Sequence, residues 1–237
     1  MIGEEFTGPL HFVQFWLNTI NEWQTEKKKK QIIALSTTKD VQDAILSDPF
    51  YSSLIDVIDI KYWHYQANGN VYAPKGGQNL APRQHARLLK PKSTSAAQVY
   101  RAVLEYKLRY PGKAVIYSAD AWDRNGWAVL MAGGSLPNLK IKDESFLQAV
   151  SAMQPVAADT STKQWVLKND RTGYVVYDMT NDHVMVDLSK ASGSYSVVWI
   201  NTMNGDIKKN KRSVKAGKEI TLTKPKTGDW VLWLKKK

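Results

Sequence analysis

The sequence of 237 residues contains no cysteine, which excludes disulfide bonds, thiolate catalysis and cysteine-based zinc sites. No apolar run approaches the length of a membrane-spanning helix, so we predict no membrane insertion. The first residues, Met1 to Glu5, lack the pattern of a secretory signal peptide. There is also no glycine-rich phosphate loop, no Gly-x-Ser-x-Gly elbow and no His-Glu-x-x-His pair. His64 and His85 are too few and too far apart to predict a metal site, and we predict no cofactor.

Basic residues exceed acidic ones by 33 to 22, which gives a formal net charge of +11. Such an excess is typical of nucleic-acid-binding proteins. Much of it lies in residues 27–30, 208–212 and 235–237, and the second of these runs is predicted to lie in a hairpin turn. No RNA- or DNA-binding signature accompanies these runs, so we interpret them as solvated lysines and predict no nucleic-acid partner.

The first 134 residues alternate short β-branched strands with amphipathic helices. Apolar side chains recur at helical spacing from Val13 to Trp23 and from Val99 to Tyr110. Buried strands are predicted at residues 31–36, 55–62 and 114–118, where β-branched residues cluster. This order of strands and helices predicts parallel βα units, and therefore an α/β domain.

The composition changes after residue 134. Residues 135–163 contain one weak helical pattern, at about 144–153, and are interpreted as a connector. From residue 164 onward, short apolar strands alternate with Gly, Asn, Asp and Ser turns, including the hairpin signal Asn204-Gly205. This pattern predicts a small antiparallel β-sandwich over residues 164–237.

Three aromatic residues and a histidine, Tyr62-Trp63-His64-Tyr65, end the predicted strand at 55–62, and a long loop follows at 66–88. In α/β proteins the carboxyl ends of parallel strands carry active sites. Aromatic rings with a polar rim suit the faces of sugars, whereas the alternative is that some of these side chains are core residues. His64 could bind a substrate hydroxyl or be a core histidine. Arg83 and His85, in the loop, could line the same cleft, although Arg83 could instead pair with an acidic neighbour.

Four segments resemble the C-terminal half of an apiosidase-like (β/α)8 glycoside hydrolase. They are residues 3–8, 33–43, 62–65 and 126–134. Residues 174–178, 199–201, 204–205 and 228–232 resemble the β-sandwich module named a putative collagen-binding domain of a collagenase, which commonly follows such barrels. The resemblance implies a partial (β/α)8 TIM-type barrel, about strands 4 to 8, over residues 1–134, followed by the sandwich.

The resemblance also implies two catalytic carboxylates, at the ends of barrel strands four and seven. Glu5 matches the acid/base, and Glu4 stands where the family usually has asparagine. At strand seven the family glutamate is missing, because Ser118-Ala119-Asp120 follows the strand. Asp120 is the nearest carboxylate and Asp123 the second. For all four residues the alternative is an ordinary loop position, since acidic residues are frequent in turns and at helix N-termini.

The function that the resemblance implies is hydrolysis of a plant or microbial oligosaccharide or polysaccharide by two-carboxylate acid/base catalysis, in a parent protein that is secreted or periplasmic. The chain offers fewer than eight barrel strands, so it can be a fragment, and its activity as an enzyme on its own stays open. The alternative is a non-catalytic module that binds carbohydrate or protein. An incomplete barrel would leave strand edges uncovered, and we would then expect a homo-oligomer.

Overall fold

The computed structural model describes residues 8–73, 93–156, 164–225 and 229–237. The chain forms two compact units, the first of residues 1–130 and 134–138 and the second of residues 131–133 and 139–237. Helices and a parallel sheet make up the first unit, and antiparallel strands dominate the second. The boundaries 1–134, 135–163 and 164–237, with the functions attached to them, stay predictions.

A three-stranded parallel sheet is the centre of the first unit. Its strands are β1 (Ala34–Leu35), β2 (Val57–Ile60) and β5 (Ala114–Tyr117), in the order β1-β2-β5. Leu35 pairs with Ile58, which pairs with Val115, and Ile60 pairs with Tyr117. The parallel βα units predicted from the sequence are therefore present. The described residues form no closed barrel.

The described residues of this part of the chain include five helices, the last of which ends in the second unit, and a short hairpin follows β2. They are α1 (Leu10–Lys27), α2 (Lys39–Ser47), α3 (Pro49–Leu54), α4 (Ala96–Arg109) and α5 (Gly126–Met131), with the hairpin strands β3 (His64–Tyr65) and β4 (Val71–Tyr72). Local chemistry explains two helix starts. Asp48 accepts hydrogen bonds from the backbone N–H groups of Phe50 and Tyr51 at the start of α3, and Ser95 accepts one from Gln98 at the start of α4.

The two faces of the parallel sheet differ in burial. Ile58 and Ile60 of β2 are fully buried, whereas Val57 and Asp59, which point to the opposite face, are partly exposed. Val115 and Tyr117 of β5 repeat this alternation. Parallel sheets covered on both faces have strands that are almost entirely apolar. The sheet therefore has one covered face and one partly open face, and Asp59 lies on the open one.

Gln42 of α2 is a fully buried polar residue that joins both neighbouring strands to the segment after β2. Its side-chain nitrogen donates to the carbonyl oxygens of Leu35 (3.1 Å) and Asp59 (3.0 Å). Its side-chain oxygen accepts from the indole nitrogen of Trp63 at 2.9 Å. The amide thus donates two hydrogen bonds and accepts one, and only one lone pair of its oxygen is left unused. A buried polar group needs such partners.

Beside Gln42, a polar network connects α2 and α4. The Tyr65 hydroxyl donates to Glu105 at 2.5 Å, and the Tyr106 hydroxyl donates to Asp43. The Lys39 ammonium lies 3.0 Å from Asp43, 3.3 Å from Glu105 and 3.2 Å from the Tyr106 oxygen. Burial, and then the hydrogen bond to Glu105, raises the pKa of Tyr65 to about 12.

An apolar groove of about 340 Å³ lies between α1 and the segment of residues 31–37, which contains the edge strand β1. Phe12, Trp16 and Trp23 of α1 line it and are partly exposed. Among the described strands β1 has a neighbour on one side only, and a strand edge beside exposed aromatic side chains is the feature from which self-association is predicted. The homo-oligomer stays a prediction.

The second unit contains a six-stranded antiparallel sheet with the order β11-β10-β13-β8-β7-β6 and a two-stranded sheet of β12 and β9. Its strands are β6 (Gln154–Pro155), β7 (Gln164–Asn169), β8 (Gly173–Asp178), β9 (His183–Asp187), β10 (Ser194–Asn201), β11 (Ile207–Lys215), β12 (Glu219–Thr223) and β13 (Trp230–Lys236). One face of the large sheet shares a buried core with β9. That core contains Tyr174, Val176, Val184, Val186, Leu188, Tyr195, Val197, Trp199, Trp230, Leu232 and Leu234.

Helix α6 (Glu144–Ser151) packs on the other face of the large sheet, where Phe146 meets Trp233 edge-to-face at 5.4 Å. Asp143 caps this helix by accepting from the backbone N–H of Phe146 at 2.9 Å. The helix predicted near residues 144–153 is thus present. It contributes to the core of the second unit through Phe146.

The structure corrects one sequence-based interpretation. Residues 208–212, predicted to lie in a hairpin turn, belong to strand β11, and the turn lies before them at residues 202–206. Gly205 adopts a φ of 79° in this turn, a conformation that favours glycine. Strand β11 escaped recognition because it is an edge strand with mostly exposed side chains, so its sequence shows no alternation of apolar and polar residues.

In the described part of the chain, none of the helices is long and apolar enough to cross a membrane.

We expect Gln42→Leu to lower the free energy of unfolding by about 2–4 kcal/mol, since it removes the side-chain donor to two buried carbonyls and the acceptor of the buried Trp63 indole. Urea unfolding, followed by circular dichroism, measures this loss. In a Trp63→Phe background the indole donor is already gone, and Gln42→Leu should then cost about 1 kcal/mol less. Equal costs in both backgrounds would show that the bond between Gln42 and Trp63 contributes nothing.

The raised pKa of Tyr65 predicts a loss of stability in alkali. Because the pKa in the folded state (about 12) lies above the ordinary value of 10.0, the contribution of Tyr65 is complete below pH 10 and is lost as the pH rises through 12. In Tyr65→Phe the free energy of unfolding should therefore fall less steeply between pH 10 and 12 than in the wild type. Tyr51→Phe serves as the control, and identical slopes for wild type and Tyr65→Phe would refute the prediction.

Candidate functional site

Strands β2 and β5 end side by side. Ile60 pairs with Tyr117, and the backbone N–H of Ser118 donates to the Ile60 carbonyl at 3.0 Å. Because the strands are parallel, the residues at their carboxyl ends lie at one edge of the sheet. This carboxyl edge carries Asp59 and Ser118 on the partly open face, and Asp120 in the loop after β5.

Asp59 and Ser118 are joined directly, since the Ser118 hydroxyl donates to Asp59 Oδ1 at 2.6 Å. This bond orients the carboxylate, while Oδ2 bonds to no described residue and can accept a further proton donor. Sequence analysis missed Asp59. The sequence does contain a signal, because Asp59 interrupts the apolar run of residues 57–60. A carboxylate inside a buried strand is costly unless it has a hydrogen-bond or charge partner, so such a residue is a candidate for a functional role.

Asp120 has an exposed side chain, and its Oδ2 accepts from the backbone N–H of Thr94 at 3.0 Å. The Thr94 hydroxyl donates to the Tyr65 carbonyl at 2.6 Å, and the Tyr117 hydroxyl donates to the Asp120 carbonyl at 3.0 Å. Burial, and then the charge of Asp120, raises the pKa of Tyr117, so its hydroxyl stays a proton donor. Hydrogen bonds therefore connect Asp120 with the segment before α4, through its side chain, and with the end of β5, through its carbonyl oxygen.

Asp123, the second candidate in this loop, is exposed and lies 3.8 Å from Arg124. No described contact joins it to Asp120 or Asp59. Its predicted substrate contact stays a prediction.

The four residues Tyr62 to Tyr65 have different surroundings. Tyr62 is partly exposed, and the Lys61 ammonium lies 5.7 Å from the centre of its ring. Trp63 is fully buried and bonded to Gln42, and Tyr65 is bonded to Glu105. His64 is buried and stacks on Tyr72 at 4.9 Å.

Trp63 and Tyr65 thus contact α2 and α4, and a substrate could reach Trp63 only if this packing moved. The sequence left open whether some of these residues belong to the core. In the structure Trp63 and Tyr65 do. Tyr62 is the most accessible of the four. The substrate-binding roles of all four stay predictions.

Glu4, Glu5, Arg83 and His85 lie outside the described residues, and their roles stay predictions as well. Among residues 8–73, 93–156, 164–225 and 229–237, no group of three or more His, Asp or Glu side chains is placed to hold a metal ion.

The carboxyl edge offers two carboxylates from neighbouring strands. Asp59 is oriented by a hydroxyl donor, and Asp120 is oriented by a backbone N–H donor. Carboxylates held in this way can bind hydroxyl groups, accept protons or, if protonated, donate them. The arrangement therefore suits acid/base chemistry on a polar, hydroxyl-bearing substrate.

The chain shows distant likeness to several solved structures. A glycoside hydrolase family 5 protein from Bacteroides vulgatus is 13% identical over 61% of this chain and 46% of that one, with a TM-score of 0.42. A second structure, described as a glycoside hydrolase, is 14% identical over 81% and 54%, with a TM-score of 0.47. A family 44 xyloglucanase from Paenibacillus polymyxa is 14% identical over 82% and 50%, with a TM-score of 0.36.

The chain thus spans about half the length of these solved structures. Likeness at such identities and TM-scores does not establish a shared activity. No curated protein matches the chain. A family model does match residues 1–153, well over half of the sequence. The chain therefore belongs to the family described as Domain of unknown function (DUF6298).

Proposed function

We propose that this chain is carbohydrate-active and belongs to a protein that hydrolyses glycosidic bonds in an oligosaccharide or polysaccharide. The observation that carries the proposal is the position of Asp59 and Asp120 at the carboxyl ends of adjacent parallel strands. The resemblance to an apiosidase-like glycoside hydrolase supports it, since two carboxylates at the ends of barrel strands perform this chemistry.

The shape of the first unit supports the partial barrel within this proposal. In a (β/α)8 barrel the helices cover the outer face of the sheet, and the inner face lies against the other strands. Here one sheet face is buried, and the other is partly open and carries Asp59. The open face is the one that a barrel would enclose, and we propose that β1, β2 and β5 are three neighbouring barrel strands.

In the proposed mechanism, one carboxylic acid protonates the leaving oxygen and a second carboxylate attacks the sugar or activates water. We assign Glu5 as the acid and Asp120 as its partner. Oδ2 of Asp59, which bonds to none of the described residues, binds a sugar hydroxyl, with Ser118 holding Oδ1 in place. Tyr62 lines the same edge.

The wider assignments are part of the proposal too. They comprise the secreted or periplasmic location of the parent protein and the likeness of the second unit to a putative collagen-binding module. A non-catalytic module that binds carbohydrate or protein is the rival function, and the experiment below separates the two.

We expect the wild-type chain to hydrolyse a member of a panel of aryl glycosides, and Asp120→Asn and Glu5→Gln to lower kcat/KM by about 100-fold or more. Asp59→Asn should lower kcat/KM as well, and Ser118→Ala should have a smaller effect. Release of the aryl group measures the rate. Glu22→Gln, which removes an exposed carboxylate on α1, is the matched control and should not change the rate.

Full activity in both Asp120→Asn and Glu5→Gln would remove these catalytic assignments. Binding of oligosaccharides by a wild-type chain that hydrolyses none of the panel would favour the non-catalytic module.

A further inference from the structure

The second unit carries a basic surface that the proposed catalytic site does not use. Six of the twelve residues at 207–218 are lysine or arginine, and none is acidic. Most of this run forms β11, which is the edge strand of the six-stranded sheet. A charged edge strand is common in β proteins because it blocks pairing with another sheet, so the run by itself implies no ligand.

The register of three strands shows that the positive charge extends beyond this edge. Ser196 of β10 pairs with Ser213 of β11 on one side and with Lys235 of β13 on the other. Paired residues in an antiparallel sheet point to the same face. Ser213, Ser196 and Lys235 therefore form one row across three strands.

Two further pairs lie on either side of this row and on the same face. Ser194 pairs with Lys215, and Val198 pairs with Lys209. We define the basic face by three lysines and three serines. They are Lys209, Lys215 and Lys235, and Ser194, Ser196 and Ser213.

The lysines of the basic face are available to a ligand. Lys209, Lys215 and Lys235 are exposed, and within the described part of the chain none of them forms an ion pair with a carboxylate. The Lys235 ammonium lies 5.3 Å from the centre of the Trp233 ring. One acidic group is near: hydrogen bonds from Ser145 and Phe146, together with the charge of Lys209, hold the pKa of Asp143 below its usual value.

The spacing on this face suits a chain of repeated negative charges. Adjacent strands lie about 4.8 Å apart, and residues two apart along a strand lie about 7 Å apart. The register thus places the three lysines around the three serines on this face, although the pairing of β10 with β11 is irregular between Ser196 and Val198. Carboxylates would meet the lysines, and sugar hydroxyls would meet the serines.

We propose that the basic face binds an anionic polysaccharide, a polymer with one carboxylate on each sugar unit. The inference rests on the proposed function, because that function makes the ligand a carbohydrate. It deepens that function by naming the substrate class: the second unit holds a uronic-acid polymer.

Two observations favour this ligand over the alternatives. Lys235 lies on β13, an interior strand of the sheet, where protection of the edge gives no reason for a charge. The aromatic residues that the register places on this face, Trp233, Tyr177 and Trp165, are all buried, so the face offers no ring on which a nucleic-acid base could stack.

The test measures binding of polygalacturonate to the full chain, by calorimetry and by affinity electrophoresis. All proteins carry Asp120→Asn, so that the polymer is not consumed. The face variant combines Lys209→Gln, Lys215→Gln and Lys235→Gln. The matched control combines Lys27→Gln, Lys29→Gln and Lys30→Gln, which removes the same charge from exposed positions in the first unit.

We expect the parent chain to bind polygalacturonate and the face variant to bind it about tenfold more weakly. Loss of three surface ion pairs, each of modest strength, accounts for a change of this size. The matched control should stay within about twofold of the parent. The fully methyl-esterified polymer, which keeps the sugar backbone and loses the charge, should bind at least tenfold more weakly than polygalacturonate.

Unchanged binding by the face variant would overturn the proposal, and so would four other results. They are absence of binding, an equal loss in the matched control, equal affinity for the esterified polymer, and equal affinity for double-stranded DNA. A face variant that aggregates but binds normally would assign the lysines to edge protection alone and would also overturn it. Circular dichroism verifies that the variants are folded. Binding is measured on chains that do not consume the polymer. If these chains bind it while the wild-type chain hydrolyses none of the aryl glycosides, the proposed function is refuted and this inference stands.

Discussion

The carboxyl edge of the first unit depends on the buried amide of Gln42. This one side chain bonds the backbone of β1 at Leu35, the backbone of β2 at Asp59 and the indole of Trp63. A buried amide without partners would cost several kcal/mol, so the three elements can be packed only in an arrangement that satisfies it. The orientation of Asp59 follows, because its backbone is held by Gln42 and its side chain by Ser118.

The same constraint explains why an aromatic cluster lies beneath a polar edge. Trp63 contacts Tyr65 edge-to-face at 5.7 Å and Tyr106 at 5.4 Å, and the Lys39 ammonium lies 4.5 Å from the centre of the Trp63 ring. The hydroxyl groups of both tyrosines find carboxylates on the helices. The aromatic rings are thus packed, and the polar groups of the same side chains are hydrogen-bonded. Burial of these large residues therefore leaves none of these polar groups without a partner. The segment that follows β2 is therefore held to α2 and α4 both by packing and by hydrogen bonds.

The second unit depends on the cover of its large antiparallel sheet. Both faces of its large sheet carry buried apolar side chains, and these side chains need a cover. Strand β9 shares the core on one face, and Phe146 of α6 packs against Trp233 on the other. Among the described strands, the edge strand β11 has no neighbour on its outer side, and its charged side chains favour contact of that side with water. Lys235 on β13 extends the charge across the sheet, where this solubility argument no longer applies.

Much of the fold could be predicted from the sequence, because its evidence is local. Runs of β-branched residues mark β2 and β5, helical spacing marks α1 and α4, and the loss of that spacing marks the sandwich. Strand β11 could not be recognised, since an exposed edge strand has no apolar face to reveal it. For the candidate site, Asp120 was found because it follows a strand. Asp59 was missed because it lies within one.

The sequence by itself determined the order of strands and helices and the change from parallel βα units to antiparallel strands, because both depend on periodicities a few residues long. Only the tertiary structure decided which neighbours share a bond. Trp63 bonds to Gln42 inside the fold. Asp59 bonds to Ser118, which lies 59 positions later in the sequence. Lys235 lies in one row with Ser196 and Ser213 across three strands. Such pairings depend on strand register and helix packing, and these are set by the burial of the whole core.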